Sequence, residues 1–306
     1  ENFKPYRNIV LFSTLFICCG VLVWPIWTGQ VFEKRVHVSV PTYYEETNQY
    51  LISQHSKRLF QLPHNIGDGM WYSWGFIGID PLGMLYDSPS IGTIQRTFID
   101  NIYNIIKNYF KSENFSNVLE ILDISHIIFR KDIDPRSQGT ADSFQDAEYI
   151  KIWKDVKYEK TFGKLDIYLL EANSKSNRVH AANQLFFVTD YNDLMDVLVS
   201  DNFNPKTQGV VVLSKNVTIP KFQKTDTLPE IKYERLSTSH YKVFVKDSKE
   251  EFALILSDSY NEQWKAKLGN DFLSEHFIIN GYANGWKVEK RGDYQIDLIY
   301  KVWPWD

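Results

Sequence analysis

The chain has 306 residues, 43% of them apolar and 24% charged, and a formal net charge of −4. That balance leaves no basic footprint for nucleic acid and no polybasic patch for anionic lipid. Both cysteines, Cys18 and Cys19, fall in one apolar run, so the rest of the chain is without disulfides or thiol chemistry.

That run, Asn8 to Phe32, carries no charge. As a helix rising about 1.5 Å per residue it is long enough to cross about 30 Å of hydrocarbon. A buried core helix would show a polar face, and this run shows none. It ends in Trp24-Pro25-Ile26-Trp27 rather than the small residues of a signal-peptide cleavage site. Tyr6 on one side and Trp24 and Trp27 on the other read as interfacial anchors. The segment is therefore expected to be a transmembrane helix. Lys4 and Arg7 before it balance Lys34 and Arg35 after it, so charge does not orient it. Because the first residue is Glu, we expect this helix to be the last span of a larger protein.

The remaining length exceeds what one core usually organises, so two further domains are expected. Tyr43 to Ser56 reads as a helix and Lys57 to Pro63 as a short strand stopped by proline. His64 to Gly83 is rich in glycine and aromatics and reads as a long ordered loop. Thr93 to Phe110 has helical periodicity, with Ile94, Phe98, Ile102 and Ile106 on one face. A short helix at Asn117–Asp123 leads into a strand at Ser125–Arg130, then a polar insert from Asp132 to Asp142. Ala147 to Val156 is expected to be helical, and Thr161 to Glu171 to be a hairpin turned at Gly163-Lys164. Leu185–Thr189 and Gly209–Leu213 read as strands around a helix at Asn192–Val199. This alternation predicts a mixed sheet.

Lys215 to Glu230 holds two prolines and scattered polar residues, so a boundary is placed there. Beyond it only strands are expected, at 241–245, 251–256, 264–268, 276–280, 285–289 and 294–300. Asn280-Gly281 and Asn284-Gly285 read as turns of positive φ, and Trp286 as core. The predicted fold class is α+β: a transmembrane helix with its flanks over 1–35, a mixed α/β domain over 36–228, and an antiparallel β-sandwich over 229–306.

These residues resemble a known family. Tyr43-Tyr44-Glu45, Arg58 to Pro63, Tyr72-Ser73-Trp74-Gly75, Asp80-Pro81-Leu82 and Asp87-Ser88-Pro89 form an ordered series. It is similar to the stretch after the membrane helices in arabinofuranosyltransferase-type members of the GT-C class, polytopic enzymes using a polyprenyl-phosphate sugar donor. Leu256 to Trp264 and Asn280 to Trp286 resemble the terminal sandwich of that family and of YfhO-type membrane proteins. Asn117 to Asp134 and Phe162 to Leu170 resemble the portion between. The resemblance implies that the catalytic acid lies upstream, so no catalytic residue is assigned here. It also implies an extracytoplasmic position for residues after about 33. Partners are then the bilayer and a cell-envelope glycan or lipid-linked sugar, with no cofactor.

Within the chain, the aromatic loop carries the best binding case. Trp71, Tyr72 and Trp74, with Asp68 and Asp80, could form an aromatic platform with polar edges for the C–H-rich face of a sugar. The structural alternative is that the tryptophans plug the domain. Asp132-Ile133-Asp134 has the spacing of a metal-holding carboxylate pair, but no Gly-rich phosphate loop accompanies it. Arg130, Lys131 and Arg136 around it suggest a solvated charged loop. Glu45-Glu46 reads as a surface helix, and the dispersed histidines form no zinc motif. Neither a nucleophile elbow nor a nucleotide-binding motif is present. Three functions follow: an accessory, acceptor-binding tail of a membrane glycosyltransferase; a non-enzymatic envelope anchor or glycan-binding module; or a self-contained metal-dependent transferase using Asp132 and Asp134.

Overall fold

The structure, a computed structural model, describes residues 4–28, 38–63, 69–91, 107–134, 137, 146–171, 178–213 and 222–301. Helix α1 spans Lys4–Trp27. Within it Asn8–Trp27 is long and apolar enough to cross a membrane, and among the described residues it is packed against nothing. Its outward Ile, Leu, Val and Phe side chains would be costly in water, and lipid is the solvent that accepts them.

Helix α2 (Thr42–Ser53) turns Tyr44, Thr47 and Leu51 inward. It precedes a five-stranded mixed sheet built from β1 (Arg58–Leu62), β4 (Ser90–Ile91), β5 (Ile124–Arg130), β6 (Val156–Phe162) and β7 (Leu165–Leu170). Their order is β4-β1-β5-β7-β6, with β1 parallel to β4 and β5, and β7 antiparallel to β5 and β6. All seven β5 side chains are buried, because both faces of the sheet are covered.

The strand period of two divides those side chains between two cores. Ile127 and Phe129, with Phe60 and Leu62 of β1, pack on helix α4 (Phe115–Ile121) in one cluster. Ile128 and Leu59 point the other way, to Tyr44 and Leu51 of α2. Arg130, two residues on from Ile128, shares this second face.

The stretch read as a long loop contains a hairpin. Strands β2 (Met70–Trp71) and β3 (Ile77–Gly78) pair antiparallel, and the short helix α3 (Leu82–Leu85) follows. Residues 64–68 and 92–106, including most of the expected helix at Thr93–Phe110, lie outside the described residues. The helix expected at Ala147–Val156 is only α5 (Asp146–Ile150), because Val156 already opens β6. The expected turn at Gly163 joins β6 to β7 at φ +52, and a side chain there would strike the Tyr43 ring.

Strands β9 (Gln184–Val188) and β10 (Gln208–Val212) are parallel and joined through helix α6 (Tyr191–Leu198). The Asp190 carboxylate caps α6, accepting from the backbone N–H of Asn192 at 2.8 Å and of Asp193 at 3.0 Å.

Two antiparallel sheets complete the chain. One runs β11-β12-β18-β14-β15, from Glu230–Ser237, His240–Ser248, Gly292–Tyr300, Trp264–Leu268 and Asp271–Phe272. The other runs β16-β17-β13-β8, from His276–Ile279, Ala283–Val288, Phe252–Ser259 and Val179–Ala182. Tyr241, Val243, Ile296 and Leu298 of the first share one core with Leu254, Leu256, Trp286 and Val288 of the second. Strand β8 had no counterpart in the sequence reading. It brings residues from before the expected boundary into the second sheet, where Leu254 opposes Ala181 and Ala253 opposes Ala182.

Asn284-Gly285 is not a turn but the middle of β17. Asn284 is fully buried. Its side chain accepts from His276 Nε2 at 3.0 Å and from the Asn261 N–H at 3.2 Å, and donates to the Asp258 carbonyl at 2.8 Å. A Cβ on Gly285 would lie 2.6 Å from the Phe277 ring, so the glycine there admits a neighbour rather than a bend. Asn280-Gly281 does form the expected turn, with φ +55 and +77.

Candidate functional site

Beneath the β2–β3 hairpin lies a buried polar network. Arg130 and Asp80 pair at 2.8 Å with both side chains fully buried. Tyr72 donates its hydroxyl proton to Asp80 Oδ1 at 2.8 Å and accepts from Arg130 Nη1 at 3.0 Å. Arg130 Nη2 donates to the Pro63 carbonyl. Burial works against the Arg130 charge, but the Asp80 carboxylate together with the Tyr72 and Tyr44 hydroxyls outweighs it and holds the guanidinium above its ordinary pKa.

Asp132 forms the second node. Its Oδ2 accepts from the Tyr43 and Tyr44 hydroxyls at 2.8 Å each and from Trp74 Nε1 at 3.1 Å. Burial, and with it the Asp132 carboxylate, pushes both tyrosine hydroxyls far above their usual value, so they remain donors. Trp74 packs between Tyr72, at 4.9 Å between ring centroids, and Phe76, at 5.5 Å.

The solvated loop expected around Arg130 and Asp132 is therefore a core feature. Strand β5 carries Arg130 into the space under the hairpin, and the Tyr43-Tyr44 pair at the start of α2 closes over Asp132. Both residues are fully buried. Among the described residues no three His, Cys, Asp or Glu side chains converge as a metal-binding group.

Of the five residues of the expected aromatic platform, the structure brings Tyr72, Trp74 and Asp80 together in this network. Tyr72 and Asp80 are buried, and Trp74 is partly so. Trp71 is 37% exposed on the outer face of the hairpin. Asp68 lies outside the described residues. Glu45 and Glu46 are exposed on α2, as expected of a surface helix.

The sequence reading missed a cleft of about 490 Å³ where the mixed sheet meets the C-terminal strands. Lys57 and Asp123 line one side, Arg178 stands between, and Tyr233, Arg235 and Tyr241 of β11 and β12 line the other. Arg178 Nε donates to Asp123 Oδ2 at 3.1 Å. The Arg235 guanidinium lies 5.9 Å from the centroid of the Tyr241 ring, and Tyr233 meets that ring edge-on at 6.2 Å. Burial lowers the Lys57 ammonium below the usual lysine value; Arg178 adds to that and Asp123 opposes it. Next in sequence to Lys57, Arg58 ties β1 to β13, donating to the Ser257 carbonyl at 2.6 Å and to Asp258 Oδ1 at 2.5 Å. The only sequence signal was the spacing of Tyr233 and Arg235, two apart and so on one strand face.

A membrane-crossing helix followed by this α+β fold defines a membrane-associated protein, and comparison supplies the class. The family described as "Alpha-(1->3)-arabinofuranosyltransferase, N-terminal GT-C domain" matches residues 4–214. The chain belongs to this family of GT-C glycosyltransferases. Among solved structures it is similar to the arabinofuranosyltransferase AftD from Mycobacteria, at 12% identity and a TM-score of 0.46 over 97% of this chain. It is likewise similar to the R1389S mutant of that protein in two classes, both at 12% identity, with TM-scores of 0.47 over 96% and 0.44 over 97% of this chain. It spans 32%, 34% and 33% of the lengths of those three chains. No curated protein matches it.

Proposed function

We propose that this chain is the accessory, extracytoplasmic part of a membrane glycosyltransferase that takes its sugar from a polyprenyl-phosphate donor, and that it holds the acceptor glycan. The catalytic acid lies outside the chain in this reading. The observation that carries it is the 490 Å³ cleft with Tyr233 and Tyr241 on one wall and Lys57, Arg178 and Arg235 around it. A tyrosine presents a flat apolar ring and a hydroxyl, which suits a sugar's C–H face and its rim of hydroxyls. Arginine and lysine donate to those hydroxyls and accept nothing in return. The two antiparallel sheets act here as a carbohydrate-binding sandwich, and β11 and β12 present its ligand-facing edge. The hairpin residues Trp71, Tyr72, Trp74, Asp68 and Asp80 enter in a narrower form: Tyr72, Trp74 and Asp80 hold the hairpin's shape, and Trp71 is the ring they leave outward.

The test is binding of arabinofuranose oligosaccharides to the detergent-solubilised full-length protein, compared with Tyr233→Ala and Arg235→Ala. The expected result is affinity weakened about tenfold by either change, the loss of about 1.4 kcal/mol of contact, with the melting temperature unmoved. Unchanged affinity would remove the cleft from the acceptor path. The competing reading, a non-enzymatic envelope module, predicts glycan binding without any transfer from a polyprenyl-phosphate donor by the full-length protein.

A further inference from the structure

The outer face of the β2–β3 hairpin and α3 is apolar to a degree the acceptor cleft does not explain. Between Gly69 and Tyr86 the only charged residue is Asp80, and its side chain is fully buried against Arg130. The exposed side chains are Trp71 at 37%, Ile77 at 60%, Ile79 at 63% and Met84 at 92%, and Val40 just before α2 adds 47%. Trp71 and Ile77 are directly opposed across the hairpin, so both leave the same face. Ile79, in the bend just after β3, is exposed next to them. Val40 and Met84 line one shared groove. Scattered apolar side chains are ordinary on a protein surface, whereas a contiguous group marks an interaction site.

The position of this face in the chain says what covers it. Val38 packs on the hairpin turn: a Cβ on Gly75 would lie 3.4 Å from Val38 Cγ1. Val38 follows Trp27, the last residue of α1, by a connection that reaches at most about 40 Å when fully extended. That is no more than the thickness of a bilayer with its headgroups, about 40–45 Å. The turn is thus one of the first parts of the fold that the chain meets after the span. Its margin carries both signs: Lys164 Nζ donates to Ser73 Oγ of the turn at 2.8 Å, the half-exposed Lys131 is paired with Asp166 at 2.7 Å, and Glu45 and Asp87 line the groove with Val40 and Met84. Aliphatic side chains with one tryptophan, and a lysine at the turn beside them, are the composition of a surface that sinks into a lipid interface. A sugar would need polar partners that Ile77, Ile79 and Met84 lack.

We propose that this face rests in the headgroup–acyl boundary of the bilayer that α1 crosses, a second membrane contact in addition to the span. The fold is then held against the membrane by its own surface, not only by a tether. The buried Arg130–Asp80 pair and the Asp132 node keep the hairpin rigid enough to present that face. The inference rests on α1 spanning the membrane, and the experiment separates the two.

The experiment places single bimane-labelled cysteines at Ile77, Ile79 and Met84 in the full-length chain carrying Cys18→Ala and Cys19→Ala. The protein is held in nanodiscs of phosphatidylcholine and phosphatidylglycerol, with and without lipid bearing a spin label near the headgroup. Phe272, exposed on β15 of the C-terminal sheet, is the control site. A label on native Cys18, in Cys19→Ala alone, lies near mid-span and reports the span against lipid carrying its spin label deep on the acyl chain instead of near the headgroup. The expected result is at least about twofold quenching at 77, 79 and 84, as for interfacial side chains, with none at 272. Quenching at Cys18 together with values at 77, 79 and 84 equal to the control overturns the proposal while leaving the span intact. Absence of quenching at Cys18 as well would overturn the span and the contact with it.

Discussion

Arg130 and Asp80 face each other at 2.8 Å with no solvent on either side chain, one from the last residue of a central strand and the other from the end of the aromatic hairpin. The pair is the reason the hairpin has a defined place on the sheet. Removing one partner leaves the other charged and buried, at a cost of about 3–5 kcal/mol. We expect Asp80→Ala to lower unfolding stability by that amount. Asp80→Leu combined with Arg130→Met should recover much of the loss, because apolar replacements leave no stranded charge. Denaturant midpoints of the two variants check this, and equal losses in both would contradict it.

Asp132 gathers Tyr43, Tyr44 and Trp74 on a single oxygen. Asp132→Ala deprives the buried Tyr44 and the partly buried Tyr43 and Trp74 of their common acceptor, which we expect to cost about 2–4 kcal/mol. Mn²⁺ should leave the melting temperature of the unaltered protein where it was. A Mn²⁺-dependent rise that disappears in Asp132→Ala would return the metal-dependent transferase to consideration.

Gly285 is held by space rather than by backbone conformation. Gly285→Ala sets a methyl 2.6 Å from the buried Phe277 ring, and overpacking of that kind costs about 1–3 kcal/mol. Gly83→Ala, with nothing within 4 Å of the new Cβ, should be neutral or slightly stabilising. Thermal melts of the two variants should differ in direction.

Two histidines, His126 buried and His276 partly buried, set an acid limit. His126 lies between the Ser56 and Ser125 hydroxyls, and His276 stacks on Trp286 at 4.7 Å. Burial holds both below the ordinary histidine pKa, although Glu159 opposes that at His126 and the Asn284 contact opposes it at His276. Above about pH 6.5 both folded and unfolded chains carry them neutral, so they contribute no slope there. As the pH falls below that value the unfolded chain takes up protons that the folded chain refuses. Stability is then lost at about 1.4 kcal/mol per pH unit for each histidine until its folded pKa is reached. Melting temperatures from pH 7.5 to 5 should show this decline, and His126→Gln with His276→Gln should flatten it.

The asparagine of Asn114-Phe115-Ser116, an N-glycosylation triplet, is buried and donates to the Val199 carbonyl at 3.0 Å and to Asp201 Oδ1 at 2.8 Å. We expect Asn114 to carry no glycan when the protein is made in a glycosylating host. A mass shift that Asn114→Gln abolishes would show otherwise.

Periodicity made most strands legible because each has one buried face. β12, β13, β14 and β18 fall within a few residues of where alternation put them. β8 was illegible for the opposite reason: Val179–Ala182 is buried on all four residues, short, and without alternation. β11 was hidden by its charges: Glu230 closed the stretch read as linker, and Lys232, Glu234 and Arg235 beyond it suggested no strand until a neighbouring strand pairs with them. The aromatic hairpin read as a loop because its strands are two residues long and its order comes from Asp132 and Arg130, far away in sequence.

What the sequence determined by itself was whatever depends on local composition and period. That covers an uncharged run long enough for a bilayer, the mixed sheet, the all-strand C-terminal stretch, and the ordered motifs of the GT-C arabinofuranosyltransferases. What only the tertiary structure decided was the environment of each polar group. Arg130 and Asp132 look like a solvated loop in the linear chain, because charge predicts water unless a partner is known to be within reach. The cost of burying a charge is set by what stands about 3 Å away, and no local pattern records that distance. The cleft, too, joins Lys57 to Tyr233 and Arg235 across more than half of the chain, and only folding sets them facing one another.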